Sequence, residues 1–476
     1  MANKFPLIAF IIFSIILIAN SAHSTHLRAG EIVAIKTGRL SYEFTLILYR
    51  NTDSPVNQPA ATVEFGDGTR QTSNVLTTTP LNNNTEKLTF KFTKTFSAPS
   101  TYIISFTEFN RNASILNIAN SVDVPFYVET KITIDPIIDR GKNSTPVLLV
   151  PPIDRGTFGQ IYTHAAGAYD ADGDSLSFKL VTPRQGKDLD VPGYRQPNYT
   201  GNSSTGGPPT FSINPVTGLI TWDTPGQTGL FNIAFQITEY RNGVELGYIV
   251  RDMQIEIVPS DNTPPKLKIP KNQCFVAGNL IRDTATATNK NLPTLTAFGG
   301  AFDLGAVKTL LPPNDLFTQK MVVSWLSTCQ DVRQQPYLIT FKAENIYATG
   351  NLTAIDVWEL YINGPTPQLL KPTSEGKNLR LRWKPYTCSN ADSIIIMKSN
   401  CLQDTIGKDS CLTGNKIEDG FIKAATVSAK DTTWLDNDNG RGLARGGVYS
   451  YYIYAKFPPV ANGYSLPSKV QYAQLS

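Results

Sequence analysis

Three stretches of the chain carry the same phrase: Tyr102–Glu108 (YIISFTE), Ile233–Glu239 (IAFQITE) and Leu338–Glu344 (LITFKAE). Each alternates large apolar with small or polar residues and ends in a carboxylate, with Asn or Arg within the next two positions. Alternation at period two puts one set of side chains on a buried sheet face and the other in water. Recurrence at about one domain length predicts a string of similar β-modules rather than one large core. The glutamates Glu108, Glu239 and Glu344 are read as marks of shared architecture, the alternative being ion ligands.

The surrounding sequence supports many short strands. Aromatics make up 10% and charged residues only 17% of the 476 residues, and 34 Gly and 32 Pro are spread throughout. That mixture suits strands joined by tight turns, and no amphipathic helix is evident. Lys4 followed by the apolar run Phe5–Ala19 and a small-residue tail reads as a signal peptide over 1–24, too short for a membrane span of about 20 residues. No second apolar run is long enough to span, so no transmembrane segment is expected in the mature chain. Removing Lys4 leaves 42 basic against 39 acidic residues, a net of +3. So balanced a chain has no electrostatic footprint for nucleic acid.

Composition shifts and turn signals divide the remainder into four: 25–136, 137–260, 261–364 and 365–476. The fold class expected is all-β, four tandem immunoglobulin-like β-sandwich modules after the signal peptide. In the first, Phe65–Thr69 (FGDGT) is a tight turn in which glycine accepts positive φ and Asp67 bonds its own backbone. It resembles the signature of PKD-type domains. In the second, Asn242-Gly243 reads as a two-residue hairpin. The last holds LRLRWKPY (Leu379–Tyr386) and VYSYYIYAKF (Val448–Phe457), similar to a fibronectin type III module with Trp383 in the core and Tyr449 or Tyr451 in core or corner roles.

One constellation suggests chemistry. Asp170, Asp172 and Asp174 alternate in a turn around Gly173, and carboxylates so placed can converge on Ca²⁺, which takes six to eight oxygens. Val181 stands where an EF-hand needs glutamate, which excludes that motif. The turn resembles those of cadherin-like modules, with Glu239 and Asp261 as further ligands, so Ca²⁺ is the one cofactor expected. The bland reading is a solvated bend. A second acidic turn, Asp436–Gly440, is read as a loop.

All five cysteines lie in the second half. In an exported protein they read as disulfide partners. The preferred pairing is Cys274 with Cys329 and Cys401 with Cys411, and Cys388–Cys411 is the alternative. Catalysis has little to stand on: His26 and His164 are the histidines left in the mature chain, and no nucleophile elbow, metalloprotease pair or phosphate loop occurs. The chain is therefore read as non-catalytic.

Several phrases in order carry a family resemblance. THLRAGEI (Thr25–Ile32) follows the signal cut, and FGDGT, AAGAYDADGDSLSF (Ala165–Phe178), NQCFVAG (Asn272–Gly278), AFGGAFDLG (Ala297–Gly305), CQDVRQQPYLITFKAEN (Cys329–Asn345), YTCSNA (Tyr386–Ala391) and LDNDNGRGL (Leu435–Leu443) come after it. Together they resemble gliding-motility-associated surface proteins of the type IX secretion class. The resemblance implies an exported, modular, structural or adhesive protein, with surface glycans or other cell-surface proteins as partners. Such proteins usually carry a C-terminal sorting module, and none is visible before Ser476, so either the sorting part has been lost, or the chain is a fragment, or export stops at the periplasm. A polysaccharide-binding array is the competing function, or a glycan-hydrolase accessory protein. The former calls for an exposed aromatic platform from Trp222, Trp325, Trp358 and Trp434.

Overall fold

The computed structural model describes residues 27–135, 137, 143–201, 206–259, 262–347, 350–403, 405–406, 420–459 and 461–475. The signal peptide, His26, Asp261 and Cys411 lie outside them. The described residues are all-β, forming 34 strands with five single-turn 3₁₀ segments. No helix among the described residues is long and apolar enough to cross a membrane.

The alternation produces the expected faces where one side of a strand meets water. In Ser41–Asn51 the side chains of Tyr42, Phe44, Leu46 and Leu48 are buried and those between them are partly exposed. Tyr102–Glu108 behaves similarly and ends its strand at Glu108. The two later phrases differ. Their strands run on, as Gly229–Arg241 and Tyr337–Tyr347, and consecutive residues along them are buried rather than every second one. Neighbouring parts of the chain cover both faces there, which period-two patterning does not encode.

The cause is strand pairing between distant segments. The opening strand Leu27–Lys36 pairs along its length with Ser41–Asn51, and at Ala29 and Gly30 with Met253 and Asp252. Val244–Val258 in turn pairs with Gly229–Arg241, with Phe126–Thr133 and, in parallel, with Arg155–Thr157. Arg155 also bridges to Leu352 in Gly350–Asn363. One hydrogen-bonded network thus runs from the start of the chain past residue 350.

The apolar core is nevertheless divided. One cluster gathers residues between Leu27 and Ile134, and a second gathers Leu148–Ile257 with Ala29 and Tyr49. A third gathers Ala277–Ile362 but also takes Cys388 and Phe457. The fourth lies between Leu369 and Leu475 and contains Trp383, Tyr449 and Tyr451, as the sequence predicts.

The turns form as their residues require. Asn242 and Gly243 both have positive φ (54° and 79°), and Arg241 pairs with Val244, a two-residue hairpin of the primed type. Thr69 N–H donates to Asp67 Oδ1 at 3.0 Å, and Lys94 Nζ lies 2.6 Å from Asp67 Oδ2. Asp67 therefore serves its turn.

The cysteine pairing differs from the expectation. Cys329 is bonded to Cys388, closing a separation of 59 residues, and Cys401 is a free, exposed thiol. Cys274 is disulfide-bonded too, but not to Cys329. The preferred pairs assumed that partners lie within one module. The segment Tyr386–Ala391 instead packs into the third apolar cluster, which carries Cys388 to Cys329. Spacing in sequence gives no access to that packing.

Candidate functional site

The acidic turn occupies the best-organised polar corner of the chain. The strands Ala168–Tyr169 and Ser175–Val181 flank it, and the second pairs Ser175 with Tyr240 and Leu176 with Glu239. That register brings Glu239 and Arg241 beside the aspartates. Gly173 takes φ 89°, a left-handed value that lets the chain bend there.

Each carboxylate has a task. Asp170 Oδ1 accepts the backbone N–H groups of Asp172 and Asp174, both at 2.9 Å. Asp174 receives Arg241 through both oxygens, from Nε at 2.7 Å and Nη2 at 2.6 Å. Asp172 Oδ2 accepts the N–H of Ser144 at 2.7 Å. Asn143 joins the network, accepting from Arg241 at 3.0 Å and donating to Glu239 Oε1 at 2.9 Å. Two of the remaining oxygens, Asp170 Oδ2 and Glu239 Oε2, are buried with no hydrogen-bond partner.

Those two orphans sit on groups that resist ionisation. Burial, reinforced by Asp174, pushes Asp170 up to about 7. Burial, reinforced by Asp170, raises Glu239 well above the ordinary carboxylate range. A proton held on these acids removes the cost of two like charges side by side.

The expected calcium ligands do not fit that ion in this arrangement. Asp174 is already neutralised by a guanidinium, Asp172 and Asp170 each have an oxygen taken by backbone N–H groups, and the three carboxylate oxygens left, Asp172 Oδ1, Asp170 Oδ2 and Glu239 Oε2, fall short of six. Among the described residues no group of three or more His, Cys, Asp or Glu side chains forms a metal-holding cluster. Arg241 stands where the sequence reading placed a cation.

The three phrase glutamates are not equivalent. Glu108 accepts the N–H of its neighbour Phe109, Glu239 belongs to the acidic corner, and Glu344 pairs with Lys342 at 3.1 Å. The residues just after them carry the recurring work. Arg111 grips Asp252 with two bonds of 2.9 and 2.7 Å, Arg241 grips Asp174, and Asn345 accepts from Asn289 Nδ2 at 2.7 Å while donating to Asn291 O. Asn or Arg soon after each phrase is a visible signal, and their partners become visible only once the strands are paired.

The same corner opens onto a cavity of about 460 Å³. Asp170, Asp172, Asp303, Gln330, Arg333 and Asn390 are among its polar lining residues. Tyr169 closes the join by donating its hydroxyl to Asp303 Oδ2 at 2.6 Å, above Gly300. Its lining comes from residues within 169–173, 300–338 and 390–461, so the cavity is a product of how segments distant in sequence dock.

Other expected features are structural. His164 is fully buried in the strand Tyr162–His164, with Nδ1 2.8 Å from Asp154, which also receives Lys342 at 2.7 Å. Asp436 is no solvated loop residue: it is buried and takes Lys398 at 2.7 Å and the Tyr451 hydroxyl at 2.6 Å. Trp222, Trp325 and Trp358 are buried and Trp434 is half-buried, so they form no aromatic platform.

No protein-family model matches the chain, and a search of curated proteins gave no match. Among solved structures, an I-band fragment of titin is 11% identical, with 70% of this chain and 98% of that chain covered and a TM-score of 0.22. A two-domain fibronectin type III segment of chicken tenascin is 10% identical over 44% and 97%, also with a TM-score of 0.22. Likenesses at this level carry no argument of their own. The class defined by the chain's own strands and clusters is an all-β protein of several docked cores.

Proposed function

We propose that the protein is an exported, modular structural and adhesive protein of the cell surface, acting in attachment or gliding motility and performing no catalysis. The observation that carries the reading is the joining of the first two cores by two buried, two-bond ion pairs, Arg251–Glu31 and Arg111–Asp252. Such joints hold neighbouring cores in fixed geometry, which a displayed scaffold needs. The Cys329–Cys388 bond agrees with an oxidising compartment outside the cytoplasm. Interaction surfaces are placed on the loops, where β-scaffolds carry them.

Protease added to intact cells of the native organism tests the location, and attachment of a deletion strain to a solid surface tests the role. Cleavage before lysis together with reduced attachment is expected. Protection of the chain until the envelope is opened, or attachment equal to the parent strain, overturns the proposal.

A further inference from the structure

We infer that the cavity beside the acidic turn binds a neutral saccharide, one or two hexose rings of a surface polysaccharide or glycan. At about 460 Å³ it lies within the range of roughly 300–1,000 Å³ typical of small-molecule sites. The inference names a ligand class for the adhesive reading and rests on it for biological meaning, but direct binding is a separate measurement from attachment.

Charge decides the class. Asp170, Asp172 and Asp303 line the cavity together with Arg333, whose guanidinium lies 3.5 Å over the Tyr337 ring and donates to the backbone carbonyls of Gln335 and Pro336. An anionic ligand meets the aspartates, and a cationic one meets Arg333. A neutral polyol satisfies both, because each hydroxyl donates and accepts at once.

Two buried acceptors lack donors. Asp170 is 7% exposed and its Oδ2 has no partner, and Asn390 Oδ1 is likewise buried and unpartnered. Both residues belong to the cavity lining, and a side-chain rotation that turns either oxygen toward the cavity gives a ligand hydroxyl a hydrogen-bond partner. Gln330 adds an amide with both functions, and Phe457 and Pro458 give apolar surface for the C–H face of a sugar ring. A tryptophan platform belongs to flat chain-binding surfaces; a half-open cavity grips a ring end or a short segment.

The test is calorimetric titration and thermal melting of the full chain with glucose, galactose, mannose, N-acetylglucosamine and their β1,4-linked dimers. Galacturonic acid and N-acetyl-lysine amide are the charged controls. Saturable binding of at least one neutral sugar is expected, weakened about tenfold by Gln330→Ala or Asp172→Asn, the loss that about 1.4 kcal/mol represents. Leu304→Trp, at a half-exposed residue on the cavity wall, fills the space without touching a core and abolishes binding. No binding by any neutral sugar overturns the inference. So does binding that survives Leu304→Trp, or stronger binding of either charged control. Failure here with reduced attachment in the deletion strain leaves the scaffold role standing and removes the sugar.

Discussion

Arg251 and Glu31 are fully buried and joined by two bonds, Nη2 to Oε1 at 2.6 Å and Nε to Oε2 at 3.1 Å. The pair links the opening strand to Val244–Val258, 220 residues later. Arg251 also donates to Val150 O at 2.8 Å and lies over the Tyr49 ring, so the guanidinium is held by residues of both cores. The AGEI of the opening phrase is thus a docking device. Ala29 and Gly30 pair with the strand, and a Cβ on Gly30 would sit 2.9 Å from Leu48 and 3.1 Å from Phe126.

Breaking this pair from one side strands a buried charge. Glu31→Gln or Arg251→Met is expected to destabilise the protein by about 3–5 kcal/mol, read from urea unfolding of the full chain. The double variant should lose less than the sum of the two, because neither partner is then left alone. Additive losses would show that the two residues act independently.

The acidic corner predicts a pH dependence of definite sign. Asp170 has a folded-state value of about 7, against about 3.9 in an unfolded chain. A raised acid binds its proton more tightly when folded, so it is neutral in both states below pH 4 and costs nothing there. The penalty grows as pH rises from about 4 to about 7 and is constant above that. Asp170→Asn keeps an oxygen for the two backbone N–H groups and removes the charge. It should therefore raise the melting temperature at pH 8 by roughly 2–4 °C, the equivalent of 1 kcal/mol in a unit of this size, and by little at pH 4.5. A gain equal at both pH values would refute the ionisation account.

The same corner predicts indifference to calcium. Arg241 already neutralises Asp174, and the remaining oxygens are too few. The melting temperature of the full chain should be the same in millimolar calcium and in chelator. A clear rise with calcium would mean that the aspartates rearrange and release Arg241.

How much of this was legible depends on which distances matter. Local features were readable: alternation in Ser41–Asn51, positive φ at Asn242-Gly243 and the turn at Asp67 each involve residues a few positions apart. The likeness of the last segment to a fibronectin type III module puts Trp383 in the core and Tyr449 or Tyr451 in core or corner roles, and all three lie in the fourth cluster. The site was readable as a turn, but its chemistry was not. Asp174 becomes an arginine partner only through the register of Ser175–Val181 against Gly229–Arg241, and Cys388 reaches Cys329 only through docking of two cores. Patterning reports which face is buried, and says nothing of what buries it.

The crosslink itself makes a prediction. Cys329 and Cys388 enclose a 59-residue separation that includes the strand Gly350–Asn363 and the passage into the last core. A loop of that length gives a stabilisation of about 4 kcal/mol in the chain-entropy view. Cys388→Ser should lower stability by up to that amount and make residues 365–475 the first released by limited proteolysis. An unchanged digestion pattern would show that the apolar contacts of Phe457 and Tyr386 hold the two cores without the bond.

Gly300 tests the join at the cavity mouth. A Cβ at this position would lie 2.4 Å from the Tyr169 ring and 2.8 Å from its base, too close for the ring to stay. Gly300→Val therefore displaces Tyr169 and breaks its 2.6 Å bond to Asp303, so the second and third cores lose their contact over the cavity. Overpacking of this kind costs about 1–3 kcal/mol. Tyr169→Phe removes only the hydroxyl and should cost about 1 kcal/mol or less. If the valine variant melts no lower than the phenylalanine variant, the ring is free to move and the cavity wall is not fixed by this contact.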